Sequence, residues 1–128
     1  MNRVLTKDVW AEARKLARTA RIRQAAIAYV TQDLINFRDG DTLICDASNR
    51  AIRSGQTDAK LLLKLHNNGV AIYSTEGLHS KVILFGRHAI LGSANMSGSG
   101  LIEASVVTDN PQITSGIASF ARLNSPTA

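Results

Sequence analysis

Two short segments in the second half of the chain carry side chains that could act on a phosphoryl group. His79 and Lys81 are one residue apart, and Ser93 and Asn95 repeat that spacing. An imidazole can attack phosphorus and form a covalent phosphohistidine, whereas a fixed cation and neutral donors suit phosphoryl oxygens. The segment lacks the paired carboxylates and clustered His or Cys of a metal site, so we expect neither a metal ion nor a cofactor.

The convergence of these four side chains depends on a turn. Both pairs are predicted to lie on neighbouring antiparallel strands, and alternate residues of a strand share a face, so His79 and Lys81 point the same way. If the turn has three residues, 86–88, Lys81 lies opposite Ser93 and His79 lies opposite Asn95. A two-residue turn would shift the register and put Ser93 and His79 on opposite faces.

These residues also resemble a known family. The run HSK at 79–81, followed by GSAN at 92–95, resembles the H-x-K … G-S-x-N signature of the phospholipase D superfamily. The Gly-Leu pair at 100–101 and Glu103 are similar to that superfamily's downstream acidic position. The order of predicted elements is compatible with a phospholipase D-like fold from about Arg23 onward.

The resemblance implies a two-step phosphodiester reaction. His79 would attack phosphorus, and Glu103 would orient its imidazole. Phosphate oxygens would be held by Lys81, Asn95 and Ser93. Members of the superfamily use two copies of the motif and this chain has one, which implies a homodimer with His79 from each subunit at a shared site.

The chain departs from the superfamily pattern at two points. The full pattern places an Asp five positions after the Lys, where this chain has Gly86, and the spacer before GSAN is one residue shorter than the commonest one. A catalytically degenerate module that only binds nucleic acid is therefore one alternative. A phospholipid hydrolase or transferase is another, although we find no interfacial helix with bulky apolar anchors.

The charge distribution favours a nucleic-acid partner. The net charge is +5, and the whole excess lies in the first 30 residues. Residues 7–20 are predicted to form an amphipathic helix with Thr6 as its N-cap. Its apolar stripe holds Val9, Ala13, Leu16 and Ala20. Its cationic stripe, which could contact the backbone of DNA or RNA, holds Lys7, Arg14, Arg18 and Arg21. A merely solvated helix face is an equally good interpretation.

The rest of the pattern predicts one α/β domain with a mixed β-sheet flanked by helices. We assign residues 1–128 to this domain, with a basic helix over 1–21 and an α/β core over 22–122. Strands are predicted at 24–30, 41–47, 70–74, 78–85, 89–94 and 102–108. Helices are predicted at 34–37, at 57–69 with Thr57 as cap, and from Pro111 over about 112–121. Residues 48–56 are predicted to be a loop.

The composition supports an ordinary folded domain. The chain has 128 residues, of which 45% are hydrophobic and 20% charged, typical of a globular protein. Its one cysteine, Cys45, cannot form an internal disulfide and is predicted to be a core residue, as Trp10 is a packing residue. No apolar run reaches a membrane span. The N-terminal residues lack a secretory core, so we predict a cytoplasmic location.

Overall fold

The computed structural model describes residues 2–98 and 103–125, and these form a mixed sheet with helices on both faces. The strands are β1 (Asn2–Leu5), β2 (Arg23–Ile27), β3 (Thr42–Cys45), β4 (Ala71–Ser74), β5 (Lys81–Phe85), β6 (His88–Gly92) and β7 (Ser105–Thr108). The helices are α1 (Val9–Thr19), α2 (Asn49–Arg53), α3 (Ala59–Asn67) and α4 (Pro111–Asn124). The α/β class that the sequence predicts is confirmed.

The strands follow the order β1-β7-β6-β5-β2-β3-β4. The β2–β3 and β3–β4 pairs are parallel, whereas β1–β7, β7–β6, β6–β5 and β5–β2 are antiparallel. Helices α1 and α3 pack on one face of the sheet, and α4 packs on the other. Because both faces are covered, the central strands β2 and β3 consist largely of buried residues instead of alternating between apolar and polar.

The N-terminal segment differs from its prediction. Residues Asn2–Leu5 form an edge strand against β7, so residues 1–21 are not a helix alone. The helix is confirmed over Val9–Thr19, but its N-cap is Asp8, with φ 51°, and not Thr6. The apolar stripe packs as expected, since Ala13 is fully buried against the sheet.

The predicted helix at 34–37 is wrong. The Asp33 carboxylate accepts hydrogen bonds from the backbone N–H groups of Ile35 and Phe37, at 3.2 and 3.0 Å. Asn36 has a positive φ of 59°. A side chain that satisfies nearby backbone donors offers the chain an alternative to the helix, which explains the irregular conformation here.

The predicted loop at 48–56 contains a short helix instead. Ser48 caps α2 by accepting from the N–H of Ala51. The following helix α3 is confirmed, but its cap is Asp58 and not Thr57. Thr57 is buried, and its hydroxyl donates to the main-chain oxygen of Asp46 at 2.8 Å. Thr57 therefore forms a tertiary hydrogen bond and does not cap the helix as the local sequence predicts.

A buried ion pair joins β2 to the start of β3. The Arg23 guanidinium donates to both carboxylate oxygens of Asp41, with the shortest N–O distance 2.6 Å, and both residues are at most 2% exposed. Its remaining N–H groups donate to the main-chain oxygens of Ala17 and Asn36. One of the seven cations among the first 30 residues is thus neutralised inside the protein and is unavailable to a ligand.

Candidate active site

One row of residues crosses the sheet where β2, β3 and β4 end, where β5 and β7 begin and where β6 ends. Ile27 pairs with Lys81, Cys45 with Ser74, and Gly92 with Ser105. His79 lies two residues before β5 and is exposed. We call this row the His79 edge of the sheet; it comprises Ile27, Cys45, Ser74, Lys81, Gly92 and Ser105. Side chains from distant parts of the sequence meet here because the sheet topology aligns these strand ends.

Lys81 places a cation beside His79. Its Nζ donates to the main-chain oxygen of His79 at 3.1 Å. The half-buried Lys81 also lines a small cavity between the sheet and α1 together with Trp10. Within the described residues, Lys81 has no carboxylate partner. Its charge is therefore available to an anion that approaches the imidazole of His79.

Ser80 fixes the segment that carries these two side chains. Its hydroxyl donates to the main-chain oxygen of Ala26 at 2.9 Å, and its own carbonyl accepts from the N–H of Ala28 at 2.9 Å. The middle residue of the HSK run is thus anchored to β2, on the face opposite Lys81. Sequence reasoning missed this role, because a serine between His and Lys gives no signal of its own.

The turn between β5 and β6 has two residues, so the three-residue turn we considered is wrong. Phe85 pairs with His88, and Gly86 takes a positive φ of 58°, which suits the first position of a type II′ turn. The register therefore places Gly92, and not Ser93, opposite Lys81. The structure does not bring Ser93 to Lys81 by strand pairing.

Ser93 instead connects the end of β6 to the segment before β7. Its hydroxyl donates to the carboxylate Oε2 of Glu103, and it also accepts from the N–H of Ala104 at 3.2 Å. In the part of the chain that the structure describes, no hydrogen bond joins Glu103 to His79. The expected pairing of Glu103 with His79 stays a prediction, and the residues at 100–101 lie outside the described ones.

Asn95 docks the GSAN segment onto the chain that follows β2. Its Oδ1 accepts from the N–H of Tyr29 at 3.1 Å, and the neighbouring Met96 bonds to the carbonyl of Tyr29. Ala28 bonds to Ser80 and Tyr29 bonds to Asn95, so the segments that carry His79 and Asn95 dock onto two adjacent residues. With Oδ1 occupied, the Nδ2 of Asn95 presents N–H donors, which is the group a phosphate oxygen requires.

The four cations predicted to share one helical stripe lie only partly on α1: Arg14 and Arg18 belong to the helix, whereas Lys7 and Arg21 lie outside Val9–Thr19. The N-terminal end of α1 adjoins the His79 edge through Trp10, whereas Arg21 lines a groove with Gly86 and Arg87 at the opposite edge. Arg18 is exposed, and half-buried Arg14 donates weakly to the main-chain oxygen of Leu34 at 3.5 Å. The predicted stripe is therefore not continuous on one helix.

Gly86 lies far from the candidate site. It is five residues beyond Lys81 along an extended strand, which corresponds to roughly 17 Å at about 3.4 Å per residue. A side chain at this position could not touch a phosphate held by Lys81. The absence of the Asp therefore removes no group from the His79 edge. Gly86 adopts the positive φ that the turn requires.

Two further titratable groups lie beneath the edge. Burial, reinforced by the charge of Asp46, raises the pKa of the Cys45 thiol to about 12, so this thiol stays protonated and unreactive. Cys45 is fully buried, as the sequence predicts for a core residue. Hydrogen bonds from Ser48 and Gly77, together with the charge of Arg50, lower the pKa of Asp46 despite its burial. Asp46 therefore stays ionised.

Metal-binding clusters and membrane spans are both absent from residues 2–98 and 103–125. No three His, Cys, Asp or Glu side chains come together in the way a metal site requires. No helix among these residues is long and apolar enough to cross a membrane.

Comparisons with known proteins identify the fold. NucT from Helicobacter pylori aligns with 97% of this chain and 94% of its own, at a TM-score of 0.77 and 16% identity. The chain has a phospholipase D-like fold. It also aligns over 97% of its length with 26% of polyphosphate kinase from Porphyromonas gingivalis, at a TM-score of 0.72 and 11% identity. The archaeal chromatin protein TrmBL2 aligns over 95% of this chain and 51% of its own, at a TM-score of 0.64 and 6% identity.

Sequence comparison alone finds no relative. No protein-family profile matches the chain, and no curated protein matches it in sequence. The likeness is thus one of fold.

Gly92 is the residue of the GSAN run that this phospholipase D-like fold constrains most tightly. A Cβ built on it would lie 1.9 Å from the Oγ of Ser105 and 2.9 Å from the main-chain oxygen of Ala104. We expect Gly92→Ala to lower the free energy of unfolding by about 1–3 kcal/mol, the usual cost of overpacking. Urea denaturation measures this loss. Gly92→Ala/Ser105→Gly should recover part of it, and a single variant as stable as the wild type would contradict the steric explanation.

Proposed function

We propose that the chain is a phosphodiesterase that cleaves DNA or RNA through a covalent phosphohistidine at His79. The observation that supports this most directly is the position of the Lys81 ammonium, 3.1 Å from the main-chain oxygen of His79, which is an exposed residue. The Nδ2 donors of Asn95, on the adjacent segment, complete a set of groups suited to phosphate oxygens. None of these groups is a typical ligand for a hard cation, so the proposed chemistry uses no metal ion.

In the proposed first step, a ring nitrogen of His79 attacks phosphorus and forms an N–P bond while the bond to the leaving oxygen breaks. Lys81 and Asn95 stabilise the charge on the non-bridging oxygens. The leaving oxygen takes a proton from His79 of a second copy of the chain. In the second step, the second histidine accepts a proton from water while the water oxygen attacks phosphorus. The new O–P bond forms as the N–P bond breaks, which returns both histidines to their initial states.

Glu103 has a defined place in this proposal. Its Oε2 accepts from Ser93, so Oε1 is the atom that would accept from the imidazole of His79. A carboxylate that accepts from one ring nitrogen keeps the other available for attack. In this arrangement Ser93 positions Glu103, in addition to its expected contact with the phosphate.

The second copy would adjoin His79. A groove of about 330 Å³ beside Ser80 is lined largely by apolar side chains from α4, β5 and β6, including Ile113 and Phe120. This groove lies on the face opposite Lys81, so the shared site requires a two-fold homodimer that brings the two His79 side chains together at the His79 edge itself. Sedimentation equilibrium of the active protein checks this point, and cleavage by a monomer would contradict the shared site.

A second candidate function is nucleic-acid binding without catalysis. TrmBL2, which shares the fold, is a chromatin protein described by a novel mode of DNA binding. The absence of a hydrogen bond between Glu103 and His79 in the described residues also favours this alternative. Binding that survives loss of His79, without any cleavage by the wild type, would identify this function.

The test is cleavage of labelled single- and double-stranded DNA and RNA in excess EDTA. The wild type is assayed beside His79→Ala purified in the same way, which controls for contaminating nucleases. We expect cleavage by the wild type that is unaffected by EDTA. No cleavage of any of these substrates, or cleavage that only added metal restores, would contradict the proposal.

A further inference from the structure

A second polar groove opens at the same edge of the sheet, beyond the residues that the motif supplies. It has a volume of about 940 Å³ and lies where the parallel strands β3 and β4 end. Its lining includes Arg50 and Arg53 from α2, Ser74 at the end of β4, and Glu76 in the loop that leads to β5. In open α/β sheets, the carboxyl ends of parallel strands are where ligands bind.

The two sides of this groove are rigidly connected. The buried Asp46 accepts from the N–H of Ser48 at 3.0 Å on one side and from the N–H of Gly77 at 3.1 Å on the other. Ser74 adds a third link by accepting from the N–H of Ala47 at 2.9 Å. A ligand would therefore meet a preformed surface, with little entropy lost in ordering it.

The two arginines of the groove lack a direct hydrogen-bonding partner among the described residues, although the charge of Arg50 acts on the buried Asp46. Both are exposed, and neither guanidinium forms an ion pair or hydrogen bond with any residue that the structure describes. They are three residues apart on one helix, which places their Cβ atoms about 5–6 Å from each other. Planar guanidinium groups bind phosphate bidentately. Among the side chains that line the groove, the two arginines face one carboxylate, Glu76, while Asp46 lies buried beneath them.

The groove lies within reach of His79. Glu76 and His79 are three residues apart, so their Cα atoms are at most about 11 Å apart. Nucleotides in a strand advance about 3.4 Å each along a duplex axis. A strand whose scissile phosphate lies at His79 would therefore place phosphates a few nucleotides away over the two arginines. Arg21 offers no such contact, since it lies at the opposite edge.

We propose that Arg50 and Arg53 form a subsite for the sugar-phosphate backbone of a single nucleic-acid strand that extends from the scissile phosphate at His79. This subsite rests on the proposed function for its substrate, although it requires only binding. The cations of α1 contribute long-range attraction, whereas Arg50 and Arg53 contact the strand directly. Glu76 opposes binding at the same place.

The test is equilibrium binding of a labelled single-stranded DNA oligonucleotide to full-length protein in a His79→Ala background, over a range of salt concentrations. Arg50→Ala/Arg53→Ala is compared with Lys64→Ala/Arg87→Ala, which removes the same charge from two exposed residues that do not line this groove, one on α3 and one in the turn between β5 and β6. Each phosphate of a single strand that is no longer neutralised lowers the slope of log K against log salt by about 0.7. We expect the slope of the arginine variant to fall by about 1.4 and that of the control to be unchanged.

Equal slopes in the two double variants would overturn the subsite, as would an oligonucleotide that does not bind. Glu76→Gln should strengthen binding, and an unchanged affinity would also count against it. Thermal unfolding shows whether each variant is folded. If the slopes differ as expected but the wild type cleaves nothing, the proposed catalysis fails while the subsite stands.

Discussion

Cleavage by the His79→Ala variant is expected to fall by about 10⁶-fold, the loss that follows removal of the nucleophile in another covalent enzyme. Alanine cannot form the N–P bond, and no other imidazole lies beside Lys81, since His66 is on α3 and His88 begins β6 at the other end of the hairpin. Initial rates of cleavage of a labelled strand in EDTA measure the effect. His79 is exposed, so thermal unfolding should be unchanged.

Two further variants show whether the loss is specific. His66→Ala changes an exposed histidine away from the His79 edge and should retain wild-type rates. Lys81→Ala should retain the nucleophile but remove a charge that stabilises the phosphate, which costs about 10²–10³-fold, or ~2.7–4 kcal/mol, by analogy with an oxyanion donor. Wild-type turnover by His79→Ala would refute the assignment, and wild-type turnover by Lys81→Ala would remove Lys81 from the site.

Replacement of Arg23 by methionine is expected to lower the free energy of unfolding by about 3–5 kcal/mol. The variant leaves the Asp41 carboxylate buried without the guanidinium that donates to both of its oxygens. It also removes the donors to the carbonyls of Ala17 and Asn36. Since small domains are stable by only about 5–15 kcal/mol, this is a large share of the total. Urea denaturation measures the loss.

A double variant keeps this prediction testable if the single variant does not fold. Arg23→Met/Asp41→Leu replaces both charges by apolar groups and should recover much of the stability, because no buried charge is left unpaired. The neighbouring Arg21→Ala is the control; it removes an exposed cation and should change the stability by no more than about 0.5 kcal/mol. An Arg23→Met variant within that range would contradict the structural role of the pair.

The sequence predicted the sheet better than the segments that connect its strands. The apolar runs around Ala25, Leu43 and Ile83 all became strands, because each buries a continuous apolar surface whichever way the sheet is ordered. The helix predicted around Ile35 is wrong, because the Asp33 carboxylate accepts hydrogen bonds from backbone N–H groups that a helix would use. Strand β1 was missed because an exposed four-residue edge strand has no apolar pattern of its own.

The candidate site shows the same division. By itself, the sequence determined which groups are available: an imidazole and an ammonium one residue apart, followed by a Gly-Ser-x-Asn run, on predicted strands. Only the tertiary structure decided their partners, through the two-residue turn at Gly86 that separates Ser93 from Lys81. The tertiary structure also shows that Arg23 is buried in an ion pair and that Arg50 lies beside Ser74 at the His79 edge. Local pattern specifies residue types and alternation, whereas register and burial depend on contacts between segments far apart in the chain.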